Sequence, residues 1–328
     1  MLTLLDRLGY DHKGRHPKGR KLVFVGDLCD RGPDSQGVIQ HVQGLVEEGN
    51  AYAILGNHEI NLLMNDIKDG SGWFFDERHD RDLKYYAPFR RTPAEERAGL
   101  VAFLSQLPIA LYRDDIRIVH AAWTQPAIDA IRSIPVGGIV QQFQAWNEQA
   151  QLLAVQGGLY DRYLDEKTRW AQELEDEHAS LPFLHAIAEY EATQQTVNPI
   201  KVLTSGVEQK ATQSFFSGNR WRFSDRTTWW NTYDAAIPVV VGHYWRLFDV
   251  PAGMVIPRYS ELFRDVPPTA WHGVRGNVFC VDFSVGARWR DRQAGRSISQ
   301  SRYKLAALQW PEQRLVFDSG ETISTIRP

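Results

Sequence analysis

The sequence predicts an α/β fold, and three features carry the prediction. Short apolar runs bounded by glycine, Lys21–Val25, Ala51–Leu55 and Ile237–Val241, have the length and β-branched content of buried parallel strands. Between the first two lies an amphipathic segment with Val38, Ile39, Val42, Leu45 and Val46 on one face. Each run ends in a Gly-led polar turn, the punctuation of strand–turn–helix units.

Taken in order, residues 2–9 read as the tail of an amphipathic helix, with Leu2, Leu4, Leu5 and Leu8 apolar and Gly9 as its stop. The first strand follows. Asp34 or Ser35 caps the next helix, and Gly49 ends it. After the second strand, His58–Lys68 reads as a helix, and the polar part of FFDERHDRD, Asp76–Asp82, as a loop. Ile109–Tyr112 and Ile116–Val119 flank Asp114-Asp115 as a hairpin ending at His120. From Gln125 to Asn198 the chain is polar and helix-favouring, which predicts a helical insertion (125–199) within one domain spanning 1–328. The closing stretches NVFCVDFSVG and KLAALQWPEQRLVF read as strands with a Pro-Glu-Gln turn.

Composition narrows the function. The chain has 328 residues, 43% hydrophobic and 23% charged, the profile of an ordinary globular protein. A formal net charge of -3 gives no strong signal for nucleic-acid binding by counterion release. Two cysteines, Cys29 and Cys280, make neither a disulfide framework nor a zinc module and fit a reducing compartment. No apolar run is long enough to span a membrane, and the N-terminus lacks the order of a signal peptide. The expectation is a cytoplasmic protein without a membrane partner. The 11 tryptophans suggest aromatic cleft walls, though packing alone uses such residues too.

The chemistry sits where the strands end. Asp27 and Asp30-Arg31 follow the first strand, Asn57-His58 the second, His120 the hairpin and His243 the run at 237–241. In an open α/β sheet the carboxyl ends of the strands line one crevice, so these loops converge. Asp27, Asn57, His120 and His243 mix carboxylate, amide and imidazole donors, a set suited to a divalent ion of the Mn, Fe or Zn type. Singly, each residue also reads as a hydrogen-bonded histidine or an ordinary turn. Their joint placement at four strand ends favours a site.

GDLCDRGPDS beginning at Gly26, with GNHE beginning at Gly56, resembles the metallophosphoesterase superfamily (calcineurin-like), in its phosphoprotein-phosphatase-like branch. That branch includes diadenosine tetraphosphatases, serine/threonine phosphatases and the phosphatase domain of bacterial polynucleotide kinase-phosphatases. Val-His120-Ala and Gly242-His243 match its later motifs, and the resemblance covers roughly 1–124 and 200–318. It implies a β-sandwich flanked by helices (α/β/β/α) and phosphoester hydrolysis by metal-activated water. Asp27 would bridge two metals, and Asn57, His120 and His243 would complete the second. Arg31 would bind phosphate oxygens, His58 would protonate the leaving group, and Asp30 would hold the His58 imidazole.

One departure stands out. The family opens with a strand carrying Asp-x-His, which supplies two ligands to the first metal. This sequence begins inside the helix that follows, and neither Asp11-His12 nor Asp76–Asp82 replaces the motif. The expectation is an N-terminally truncated form, with natural loss as the alternative. The first strand would then be absent, catalysis impaired, and one of two ions, Mn²⁺ by preference, retained.

The motifs fix phosphoester chemistry rather than the leaving group. Trp221, Trp229, Trp230 and Tyr244 offer stacking for a nucleotide, and Arg222, Arg226 and Arg246 offer further phosphate contacts. The favoured substrate is a phosphomonoester or nucleotide polyphosphate. A phosphoprotein substrate and a noncatalytic binding protein are the alternatives.

Overall fold

The computed structural model describes residues 1–217, 220–249 and 261–327. Two compact units divide the chain: Met1–Ala121 with Trp230–Pro328, and Ala122–Trp229. In chain order the first unit opens with α1 (Leu2–Arg7), β1 (Leu22–Phe24), α2 (Ser35–Glu47), β2 (Ala51–Ala53), α3 (Asn57–Leu63), α4 (Asp76–Tyr86), α5 (Ala94–Leu104), β3 (Ala110–Arg113) and β4 (Ile116–Val119). The second unit contributes α6 (Gln125–Ile131), α7 (Ile139–Gln156), α8 (Leu159–Arg169), α9 (His185–Thr196), α10 (Pro199–Ser205), β5 (Glu208–Phe216) and β6 (Trp221–Arg226). The chain then supplies β7 (Val239–Val241), β8 (Val278–Cys280), α11 (Trp289–Gln293), β9 (Ala306–Gln309), β10 (Arg314–Phe317) and β11 (Thr322–Ser324) to the first unit.

The architecture is mixed α/β, as the run-and-turn pattern requires. Strand β1 pairs parallel with β2, in the register Leu22↔Ala51 to Phe24↔Ala53. The hairpin β3–β4 continues through parallel pairing into β7 and β8, giving the order β3-β4-β7-β8. An antiparallel sheet of order β11-β10-β9 closes the unit. One core cluster joins the last two sheets: Val240 and Phe279 from one, Leu315 and Phe317 from the other, with Trp271 and Phe283 between. Burial of this kind, at roughly 25 cal/mol per Å² of apolar surface, drives sheet-on-sheet packing.

Asp34 is the helix cap, accepting the Gly37 N–H at 2.9 Å and starting α2 at Ser35. Its apolar face buries Ile39, Val42 and Leu45 as the spacing predicts. Leu5 of α1 packs with Leu45 and Ala51, while Leu4 and Leu8 pack on Val316 of β10. Two expectations need correction. The helix after GNHE stops at Leu63, not Lys68, and Asn65 beyond it has φ +51°. Asp76–Asp82 is helical, as the first two turns of α4, with Asp76 and Glu77 in the first turn favoured by the helix dipole. An Arg78–Asp82 pair one turn apart supports it at 3.0 Å.

In the second unit, Leu174, Leu184, Ile187, Ala188 and Phe223 form the core between helices and ribbon. The ribbon β5–β6 is antiparallel, with an irregularity between Lys210 and Phe215.

Candidate metal and phosphate site

Each loop that carries the predicted residues leaves a strand at its carboxyl end. Asp27, Asp30 and Arg31 after β1, and His243 after β7, all adopt left-handed backbone, with φ of 55°, 71°, 56° and 67°. Non-glycine residues hold such conformations only where surrounding structure enforces them, and they gather at functional sites. Gly26 and Gly56 pack against one another so closely that a Cβ on Gly26 would lie 2.5 Å from the Gly56 nitrogen. Only this bare contact lets the β1 and β2 loops meet.

The loops are then clasped from below. Glu59, fully buried in the first turns of α3, accepts the backbone N–H groups of Gly56 and Asp27 on one oxygen and of Leu28 on the other, at 2.7–2.8 Å. Asp282 ties the β7 loop to the turn after β8, accepting from the backbone of Trp245 at 3.0 Å and of Ser284 at 2.8 Å.

The structure brings Asp27, His120 and His243 together: one potential ligand atom from each lies within 4.8 Å of the others. Asn57 joins them through its Oδ1, 2.9 Å from His243 Nδ1. His120 shows what this cluster is suited to hold. Its Nδ1–H donates to the Val25 carbonyl at 2.5 Å, which fixes the tautomer and leaves Nε2 facing inwards. That Nε2 is buried without a hydrogen-bond partner among the described residues and stands 3.2 Å from Asp27 Oδ1. Burial acts against charging His120, yet Asp27 outweighs it and pushes the imidazole up to about 9. Asp27 is likewise held well below the ordinary carboxylate range: burial raises it, and His120, His58 and His243 more than reverse the effect. The pocket between them favours a positive charge, and a carboxylate, an amide oxygen and two imidazoles fit a divalent cation.

Beside the cluster stands a second group. His58 Nδ1 lies 2.5 Å from Asp30 Oδ2, and its Nε2 lies 3.3 Å from Arg31 Nη1. The His58 backbone N–H reaches Asp27 Oδ1 at 3.3 Å, tying the two groups together. Arg31 is steadied by Trp245, whose ring centre is 5.1 Å from its Cζ, and by Asp69 at 3.6 Å.

The family's sequence profile, that of the calcineurin-like phosphoesterases, matches residues 2–244. The chain belongs to the calcineurin-like phosphoesterase family. Within this calcineurin-like phosphoesterase, 61 residues are 49% identical to the asymmetrical bis(5'-nucleosyl)-tetraphosphatase PrpE of Halalkalibacterium halodurans, covering 18% of this chain and 25% of that protein. A stretch of 112 residues is 55% identical to the symmetrical bis(5'-nucleosyl)-tetraphosphatase of Ralstonia nicotianae, covering 33% and 36% respectively. The matched stretches thus span about a quarter to a third of those relatives' own lengths. Among solved structures, the cold-active protein-tyrosine phosphatase of a Shewanella species aligns at 14% identity and TM-score 0.44, over 99% of this chain and 76% of that one. A putative diadenosine tetraphosphatase aligns at 14% identity and TM-score 0.37, over 99% and 87%.

Other sequence-predicted residues lie elsewhere. Arg246 is 1% exposed, donates to the carbonyls of Val266 and Pro267, and rests over Phe263 and Phe283. Tyr244 is fully buried, edge-on to Trp230, His243 and Phe263. A side chain so enclosed presents no face for a base to stack on, and Trp229 and Trp230 are buried as well. Arg226 belongs to the second unit, opposite Glu208 on the β5–β6 ribbon. Among the described residues, no helix is long and apolar enough to cross a membrane.

Proposed function

We propose that this calcineurin-like phosphoesterase hydrolyses a nucleotide polyphosphate with a divalent ion, Mn²⁺ by preference, held by Asp27, Asn57, His120 and His243. The observation that carries the reading is the inward-facing His120 Nε2 beside Asp27, with the His58–Asp30–Arg31 group adjoining. When bound, the ion activates water and neutralises phosphate charge. The protein does the rest. Arg31 offers a planar fork of donors to phosphate oxygens. His58, held through Nδ1 by Asp30, keeps a proton at Nε2 for the departing oxygen, and the nearby carboxylates favour the charged imidazole against the opposing effect of burial. Nucleotide substrates are favoured over phosphoproteins because the tetraphosphatases of Halalkalibacterium halodurans and Ralstonia nicotianae share 49% and 55% identity with stretches of this chain. The two free, buried cysteines suit a cytoplasmic setting.

The test is a turnover panel on the purified chain with and without Mn²⁺, comparing a bis(5'-adenosyl) tetraphosphate, p-nitrophenyl phosphate and a phosphoserine peptide. Metal-dependent turnover of the dinucleotide should exceed that of the peptide. Two identical diphosphates among the products indicate symmetrical cleavage, and a triphosphate with a monophosphate indicates asymmetrical cleavage. Asp27→Asn and His58→Ala should each lower turnover by about 10²-fold or more. Turnover indifferent to metal and to both substitutions would overturn the reading.

A further inference from the structure

Asp30 has two carboxylate oxygens, and His58 uses only one. The other, Oδ1, accepts the indole N–H of Trp73 at 2.6 Å. Trp73 is 1% exposed and lies in the turn before α4. That turn is pinned on both sides: the Gly72 N–H donates to Asp82 Oδ2 at 2.7 Å, and the Trp73 carbonyl accepts from Thr92 at 2.8 Å. Phe74 meets the indole edge-on at 5.4 Å. The Asp30 backbone N–H is itself bound to Ser35 Oγ at 3.1 Å, so both ends of the residue are anchored.

We propose that Trp73 is a positioning residue for the reaction proposed above, setting the Asp30 carboxylate so that His58 presents Nε2 towards Arg31 and the leaving group. A carboxylate bonded through one oxygen only can turn about its Cβ–Cγ bond. An indole N–H on the second oxygen removes that freedom, fixing the plane in which His58 Nδ1–H donates. The chain Trp73–Asp30–His58 thus acts through orientation. The indole stays remote from any proton transfer. A buried tryptophan also needs an acceptor for its N–H merely to fold, so the test must separate the two roles.

Leaving-group dependence separates them, since a proton donor matters most when the departing oxygen is basic. With Mn²⁺ present, Trp73→Phe should lower turnover of phenyl phosphate by about 10-fold or more, yet that of 2,4-dinitrophenyl phosphate by less than about 3-fold, a muted copy of His58→Ala. Equal losses on both esters in Trp73→Phe, with His58→Ala still selective, would reduce Trp73 to a packing residue. Loss of selectivity in His58→Ala itself would instead overturn the assignment of His58 as proton donor. A second measurement needs neither turnover nor a folded Trp73→Phe protein. In ¹H–¹⁵N spectra of the wild-type protein, one of the 11 indole resonances should lie downfield and move in Asp30→Asn. The Nδ1–H proton of His58, held on Asp30 Oδ2, should give one sharp downfield resonance in the wild type and a shifted or broadened one wherever Trp73→Phe folds. An indole resonance unmoved by Asp30→Asn would overturn the proposal even in a chain without turnover.

Discussion

The Glu59 carboxylate accepts the Asp27 backbone N–H at 2.8 Å, and through this bond the GNHE helix fixes the loop that carries the central carboxylate of the site. The same side chain binds Gly56 and Leu28, so one buried group serves three backbone donors that would otherwise lie unsatisfied. Glu59→Gln preserves volume but turns one acceptor into a donor facing N–H groups. A loss of about 2–4 kcal/mol in chemical denaturation is expected. Stability unchanged within error would show that the clasp is dispensable.

His120 should dominate metal affinity. With Nδ1 committed to Val25 O, Nε2 is the donor that the fold has prepared. Calorimetric titration of metal-free protein with Mn²⁺ is expected to show one ion per chain, from the single cluster among the described residues. His120→Ala should weaken that affinity by about 10–100-fold or more. At the metal concentration that stabilises the wild type by about 2.7 kcal/mol, a hundredfold excess over its Kd, the variant's gain should fall to about 0.4–1.4 kcal/mol, with a correspondingly smaller rise in melting temperature. A variant that keeps both would remove His120 from the ligand set.

A separate histidine predicts how stability falls with acid. His272 is buried against Trp230 and Phe263, with neither ring nitrogen hydrogen-bonded among the described residues. Burial, aided by the Arg246 guanidinium, lowers it to about 3. The unfolded chain takes up a proton near pH 6.5, which the folded chain refuses until about pH 3. Stability from this residue is therefore complete above pH 6.5 and declines by about 1.4 kcal/mol per pH unit below it. Between pH 7.5 and 5.5, His272→Phe should lose about 1.4 kcal/mol less than the wild type in urea denaturation. Parallel losses in the two proteins would show that His272 is protonated without penalty in the fold.

The strands and their turns were legible because buried parallel strands leave continuous apolar runs, and because a Gly-led polar turn closes each run where the chain must leave the sheet. Asp27, His120 and His243 could be placed together from strand ends alone. Glu59, Trp73 and Asp282 could not, since their work is to hold backbone or a carboxylate, and a single buried hydrogen bond leaves no periodic trace. Arg246 and Tyr244 closely follow His243 and read as substrate contacts. Yet the left-handed turn at His243 sends Tyr244 into the interior and Arg246 onto Phe263. Helix α4 was hidden by its charge, for its run DERHDRDLKYY lacks the apolar stripe that marks a helix against a core.

The placement of Arg31 gives a final prediction, one that separates substrate binding from folding. Its backbone is left-handed at φ 56°, its N–H donates to Gly70 O at 3.2 Å, and its carbonyl accepts from Arg292 Nη2 at 2.9 Å. Gly70 has φ +90°, and a Cβ there would meet Arg31 Cγ at 2.5 Å and the Arg31 nitrogen at 3.1 Å. Gly70→Ala therefore incurs backbone strain of about 1–3 kcal/mol and pushes the arginine stem from its seat. The shifted stem would move the guanidinium away from its station over Trp245 and its approach to His58. Because Arg31 is assigned to phosphate oxygens rather than to proton transfer, the loss should fall on KM. We expect a rise of about 10-fold or more in Gly70→Ala with kcat changed much less, and a smaller rise in Arg292→Met, which releases the carbonyl but leaves the stem in place. A fall in kcat at constant KM would instead place Arg31 among the groups that act only as the phosphoester bond breaks.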